Sequence, residues 1–147
     1  MANVILASIL SIPPVDWTPY EGMEETLRVL KGRGKILAVS TGKPTPMAEK
    51  VLRHFGWEGY FSFIAGATMD ESRSEKHDII NYALAALGAP DKRRVLMVGD
   101  RDNDVLGAEK ACVDCCGVLY GYGSREELEG SGAKYLIEKP EDLLKIV

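Results

Sequence analysis

Residues 95–108, VLMVGDRDNDVLGA, constrain this chain more than any other stretch. Val95, Leu96, Met97 and Val98 form an unbroken apolar run that stops at Gly99. A short apolar run bounded by a turn residue reads as a strand buried on both faces of a parallel sheet. Asp100 follows at once and Asp104 comes four residues later, where a helical pattern starts. Open α/β sheets bind ligands outside the carboxyl ends of their strands, which is where these acids fall. Two carboxylates there suit a hard divalent cation such as Mg²⁺, held also by water and substrate phosphate oxygens. The plainer alternative is that Asp102 and Asp104 cap and charge the amino terminus of the next helix.

The rest of the chain repeats the same alternation. Strands are expected at 4–10, 35–40, 60–65, 95–99, 115–119 and 134–137. Helices are expected at 23–31, 45–55, 76–87, 103–110, 125–128 and 140–146. In the second helix the inward residues should be Met47, Val51, Leu52 and Phe55. Alternating strands and helices predict an α/β fold: a doubly wound parallel sheet, helices on both faces, right-handed crossovers and one ligand crevice. No repeat, low-complexity tract or linker divides the chain, so one domain over 1–147 is expected.

With 147 residues the chain can bury a proper core. A net charge of −4 and no basic run beyond Lys92-Arg93-Arg94 argue against nucleic acid as a partner. The apolar run at 4–12 falls short of the ~20 residues a membrane span needs. No basic residue precedes it, as a signal peptide would require, so a buried strand is the better reading. Cys112, Cys115 and Cys116 have neither His54 nor His77 nearby in sequence to complete a four-ligand zinc site. They read as structural or incidental thiols. Free thiols without a secretion signal point to the cytoplasm, with no membrane partner.

The carboxyl ends of the strands are read together. Thr41 and Gly42 follow the second strand, Lys76 opens the helix after the third, and Asp100 and Asp104 follow the fourth. That set suits a phosphoryl group. Thr41 and the Gly42 amide would hydrogen-bond it, Lys76 would neutralise it, and a magnesium ion would sit on the acids. Taken singly, Thr41 is also a helix-start hydroxyl and Lys76 a solvated cation.

Four phrases, LAVSTGKP (37–44), SRSEKHDIINYAL (72–84), MVGDRDNDVLGA (97–108) and GVLYGYGSREEL (117–128), resemble the haloacid dehalogenase-like (HAD) hydrolase superfamily. The likeness is to its phosphoglycolate-phosphatase-like branch and runs from about residue 20 to the end. It implies a sheet of order 3-2-1-4-5. It matches Thr41 to the family's second motif, Lys76 to the third, and Asp100 with Asp104 to the fourth. It implies Mg²⁺, a small phosphorylated metabolite, and hydrolysis of phosphate monoesters through an aspartyl-phosphate.

One departure counts as much as the match. The family's first strand ends in Asp-x-Asp-Gly-Thr, where the first Asp attacks phosphorus and binds metal and the second is general acid and base. Here the strand at 4–10 puts Ser8 and Leu10 at those places. No Asp or Glu precedes Asp16, which lies beyond Pro13 and Pro14. The family's helical cap is missing too. Residues 1–12 then stand as a replacement or degenerate first strand that keeps the structural job without the chemical one. Magnesium, left with Asp100 and Asp104, should bind weakly or not at all.

The expectation is a phosphatase-like chain that is impaired or inactive. Ser8 as a substitute nucleophile has no histidine or other base beside it. The alternatives are a pseudoenzyme or binding module for a phosphate ligand or protein partner, part of a longer active phosphatase, and a nucleophile lent by a partner chain. A response-regulator receiver domain has its acids after strands one and three, its Thr after strand four and its Lys after strand five, an order this chain excludes. No G-x-G-x-x-G follows a strand, and Gly121-x-Gly123 is only a turn-like fragment. Trp17, Tyr20, Tyr120 and Tyr122 are expected to flank the uncapped crevice, under a second subunit or as ordinary loop aromatics.

Overall fold

Strand-sized apolar segments separated by helices leave a parallel sheet as the way to pair every buried backbone group. The computed structural model describes residues 2–8, 21–70 and 72–147. Its strands are β1 (Val4–Ala7), β2 (Ile36–Pro44), β3 (Phe63–Ala67), β4 (Val95–Gly99), β5 (Asp114–Val118) and β6 (Tyr135–Ile137). All pairings are parallel, in the order β3-β2-β1-β4-β5-β6. β1 therefore fills the central slot, with Ala7 level with Val39 on one side and Val98 on the other. The helices are α1 (Met23–Gly32), α2 (Thr45–Phe55), α3 (Lys76–Ala86), α4 (Asp102–Lys110) and α5 (Arg125–Ser131).

The period-two alternation of each strand divides the core in two. Ile5, Ala7, Val39 and Val98 face α1 and α2, where they meet Leu27, Leu30 and Leu52. Val4, Leu6 and Met97 face α3 and α4, where they meet Ile79, Ile80 and Val105. The doubly wound α/β architecture read from the sequence is the architecture present. No helix among the described residues is long and apolar enough to cross a membrane.

Several boundaries differ from expectation. β2 runs past Ser40 through Thr41 and Gly42 to Pro44, with a register shift before Pro44 pairs with Ala67. β3 starts three residues later than expected, because Glu58–Tyr60 closes a 3-10 turn first. The two changes belong together. A Cβ on Gly66 would come within 2.5 Å of the Lys43 carbonyl oxygen and 2.7 Å of the Thr45 nitrogen, so only glycine lets β3 approach the extended β2. The closing segment at Pro140–Lys145 is 3-10 rather than α-helical. Met47, expected inward, is half exposed, because it lies beside the stripe of Ala48, Val51 and Leu52 that packs on the sheet. The segment expected as a strand to Leu10 is described as far as Ser8. Leu10, Asp16, Trp17 and Tyr20 lie outside the described residues.

The cysteines form no disulfide, and the alternation sends Cys115 and Cys116 into opposite cores. Burial pushes both thiols up, Cys116 to about 12, while Cys112 is exposed. Iodoacetamide at about pH 8 is therefore expected to alkylate Cys112 in the native protein and all three thiols after denaturation, since the thiolate is the reactive form. Intact-mass spectrometry reads the count.

Candidate active site

The crevice at the carboxyl end of the sheet is built by three strand tips and two helix starts. Ser8, Thr41, Gly42, Lys76, Asp100 and Asp104 all line it. The structure thus brings Thr41, Gly42, Lys76, Asp100 and Asp104 to one place with Ser8, whereas Tyr120 and Tyr122, expected to flank the crevice, do not line it. Lys43, Arg101 and Asn103 line it as well, though sequence reasoning did not single them out. Lys43 was visible in the phrase TGKP, but the extension of β2 that carries it into the crevice was not.

Asp104 is 2% exposed and Lys76 reaches it with Nζ 2.8 Å from Oδ1. Oδ2 accepts hydrogen bonds from the backbone N–H of Asp100 at 3.1 Å and of Arg101 at 3.3 Å. Asp104 therefore does perform the capping job weighed as the plainer alternative, at the third residue of α4, and it also neutralises a buried lysine. Lys76 gets there because the face of α4 beneath it is bare. A Cβ on Gly107 would lie 2.6 Å from Lys76 Cγ and 2.7 Å from its Cβ.

Asp100, 3% exposed, accepts a hydrogen bond at Oδ2 from the Tyr122 N–H, at 2.9 Å. The loop after β5 is pressed onto it. A Cβ on Gly121 would strike the Asp100 carboxylate, and one on Gly123 would strike its carbonyl oxygen. The Gly121-x-Gly123 fragment therefore buttresses Asp100 by close backbone approach. Further along, Glu127 accepts from the Asp102 N–H at 2.8 Å and from Arg101 Nε at 2.9 Å, and the Arg101 bond holds its carboxyl below the usual range. Tyr122 contributes its backbone while its ring is exposed, and Tyr120 packs against the core beneath α1. Gly123→Ala is expected to lower stability by about 1–3 kcal/mol through overpacking against backbone. Thermal melting reads this, with Gly130→Ala, which meets nothing within 4 Å, as the control.

Thr41 is 4% exposed and its Oγ1 accepts from the Lys43 N–H at 3.2 Å. That leaves the hydroxyl proton to donate into the crevice. Ser8 continues the β1 ladder, its N–H donating to the Val98 carbonyl at 2.9 Å. Its side chain is 6% exposed and Oγ has no hydrogen-bond partner among the described residues. Ser40 Oγ, on β2, is likewise buried without a partner.

A Mg²⁺ ion, implied by the family likeness, takes near-octahedral oxygen ligands at about 2.1 Å. Asp100 could supply one. Asp104 carries the Lys76 ammonium on one oxygen and two N–H donors on the other, and Ser8 offers a neutral hydroxyl where a carboxylate would be needed. This donor set does not fit a firmly held Mg²⁺.

The crevice thus sets a hydroxyl, a lysine and an acid pair at the strand tips of an open parallel sheet. The haloacid dehalogenase-like hydrolase family model matches residues 3–111, and the chain belongs to that family. It is 40% identical over 109 residues to a 5'-nucleotidase of Pseudomonas aeruginosa, covering 74% of this chain and 49% of that protein. It is 35% identical over 128 residues to a phosphoglycolate phosphatase of Mannheimia succiniciproducens, covering 87% of this chain and 57% of that protein. The crystal structure of a predicted phosphatase from Clostridium acetobutylicum superposes with a TM-score of 0.83 at 40% identity, over 86% of this chain and 58% of that one. The chain thus spans about half the length of the curated relatives it matches.

Proposed function

We propose that this chain is a phosphoglycolate-phosphatase-like core that binds the phosphoryl group of a small phosphorylated metabolite and does not turn it over by itself. The observation that carries the reading is Ser8 at the tip of β1. It lines the same crevice as Thr41, Lys76 and Asp100, where the family likeness calls for an aspartate nucleophile.

Each remaining group keeps a binding role. Thr41 donates its hydroxyl proton, the Gly42 amide adds a second donor, and Lys76 supplies charge next to the ligand. What is missing is the carboxylate that would attack phosphorus and split the hydrolysis into two easier steps. Phosphate-monoester hydrolysis is among the slowest uncatalysed reactions, and a serine with no histidine or other base beside it in sequence does not replace that carboxylate. Magnesium has no catalytic part in this reading, in line with the donor set. Free thiols suit a reducing, cytoplasmic setting. We read residues 1–147 as one core domain in which residues 1–12 replace the family's first strand.

The test is turnover of p-nitrophenyl phosphate and phosphoglycolate with added Mg²⁺. No hydrolysis above the Asp100→Asn variant is expected. Robust hydrolysis that vanishes in Asp100→Asn would overturn the reading. A second reading, an active site completed by a segment outside this chain, is favoured by the relatives' greater length. It predicts that activity is regained when this chain is joined to such a segment.

A further inference from the structure

We propose that the crevice binds a tetrahedral oxyanion without a metal ion, and that the Ser8 hydroxyl is one of its ligands. The inference rests on the phosphate-binding reading above and adds the mode of binding. Ser8 lines the crevice, and its buried Oγ has no partner among the described residues, although buried hydroxyls are nearly always hydrogen-bonded. Its N–H donates to the Val98 carbonyl, which holds its Cα at the crevice wall. An oxyanion accepting from Ser8 would satisfy it, and bonds to a charged acceptor are the stronger kind.

The charges of the crevice point the same way. Among its lining residues Lys43, Lys76 and Arg101 stand against Asp100 and Asp104. Lys76 is matched by Asp104, and Arg101 by Glu127 from outside the crevice. With Glu127 counted, three cations stand against three carboxylates, so the crevice is close to neutral. A carboxylate in place of Ser8 would tip this balance to net negative and demand a bound cation before any phosphate could enter. A neutral donor removes that demand. The register shift in β2 contributes by carrying Lys43 into the crevice, as bulges at strand ends commonly re-aim a side chain. Lys43, Thr41 and Ser8 then present an ammonium and two hydroxyl protons from adjacent strand tips.

The experiment is titration with inorganic phosphate, followed by calorimetry, once in EDTA and once in excess Mg²⁺. Equal affinity in both is expected, with phenyl phosphate competing for the same site. Ser8→Ala should weaken binding about tenfold, the loss of one hydrogen bond to a charged group. Lys43→Met should weaken it as well. Thermal melting with and without phosphate checks that each variant is folded and reads binding independently. Phosphate bound only with Mg²⁺ would overturn this inference and leave the phosphate-binding reading intact. The same holds if Ser8→Ala binds as the parent does, or if phenyl phosphate fails to compete. No binding under either condition would overturn both.

Discussion

Ser8→Asp combined with Leu10→Asp is expected to switch on Mg²⁺-dependent hydrolysis of p-nitrophenyl phosphate, about 10²–10⁴-fold above the parent, the range a positioned acid–base group supplies. The surroundings a nucleophile at position 8 needs are already assembled. Thr41 and Lys76 reach the same crevice, and Asp100 is braced by the Tyr122 N–H and by the glycines around it. An aspartate there adds the carboxylate that attacks phosphorus and the second acid that Mg²⁺ lacks. It also sets a new negative charge beside Asp100, which disfavours ionisation until a cation is bound. The melting temperature of the variant should therefore rise with Mg²⁺, whereas that of the parent should not. Asp100→Asn in the same background should abolish the gain. A folded variant that binds Mg²⁺ and remains inactive would show that Ser8 is not the counterpart of the nucleophile.

Lys76→Met is expected to cost about 3–5 kcal/mol, the usual price of stranding one partner of a buried ion pair. Asp104 is 2% exposed, and its Oδ1 would lose the ammonium now 2.8 Å away. Methionine keeps most of the stem that lies across Gly107, so the loss reports charge rather than packing. At roughly 2–4 °C per kcal/mol for a chain of this size, the melting temperature should fall by about 10 °C. Adding Asp104→Asn should recover much of this, because the amide oxygen still accepts from the N–H groups of Asp100 and Arg101 and no charge is left buried. A double variant no more stable than Lys76→Met would mean the pair contributes through packing alone.

The strand-to-acid stretch at 95–108 was legible because everything it encodes is local. Four apolar residues, a glycine and an acid define a buried strand and its end in any context, and β4 is Val95–Gly99 as read. Helix α2 likewise matches its expected bounds, since its proline near the start and Gly56 in the left-handed region (φ 72°) are local signals. The extension of β2 to Pro44 was not legible. It depends on Gly66, twenty-odd residues away, allowing a close approach that no period in either segment announces. The same reason hid the role of Gly121 and Gly123. As a sequence fragment they mark a turn, and only the fold puts Asp100 against them.

By itself, then, the sequence determined the strand–helix alternation, the two-sided core and the candidates Thr41, Gly42, Lys76, Asp100 and Asp104, with Ser8 where an acid was expected. Local apolar periodicity and turn chemistry suffice for these. Only the tertiary structure decided what those groups do to one another. It paired Lys76 with Asp104, so that the acid expected on a metal already carries a cation. It placed Lys43 in the crevice and left the Ser8 hydroxyl buried, with no partner among the described residues. Charge balance in a crevice is a sum over strands that meet only when the sheet is assembled, and no single segment carries it.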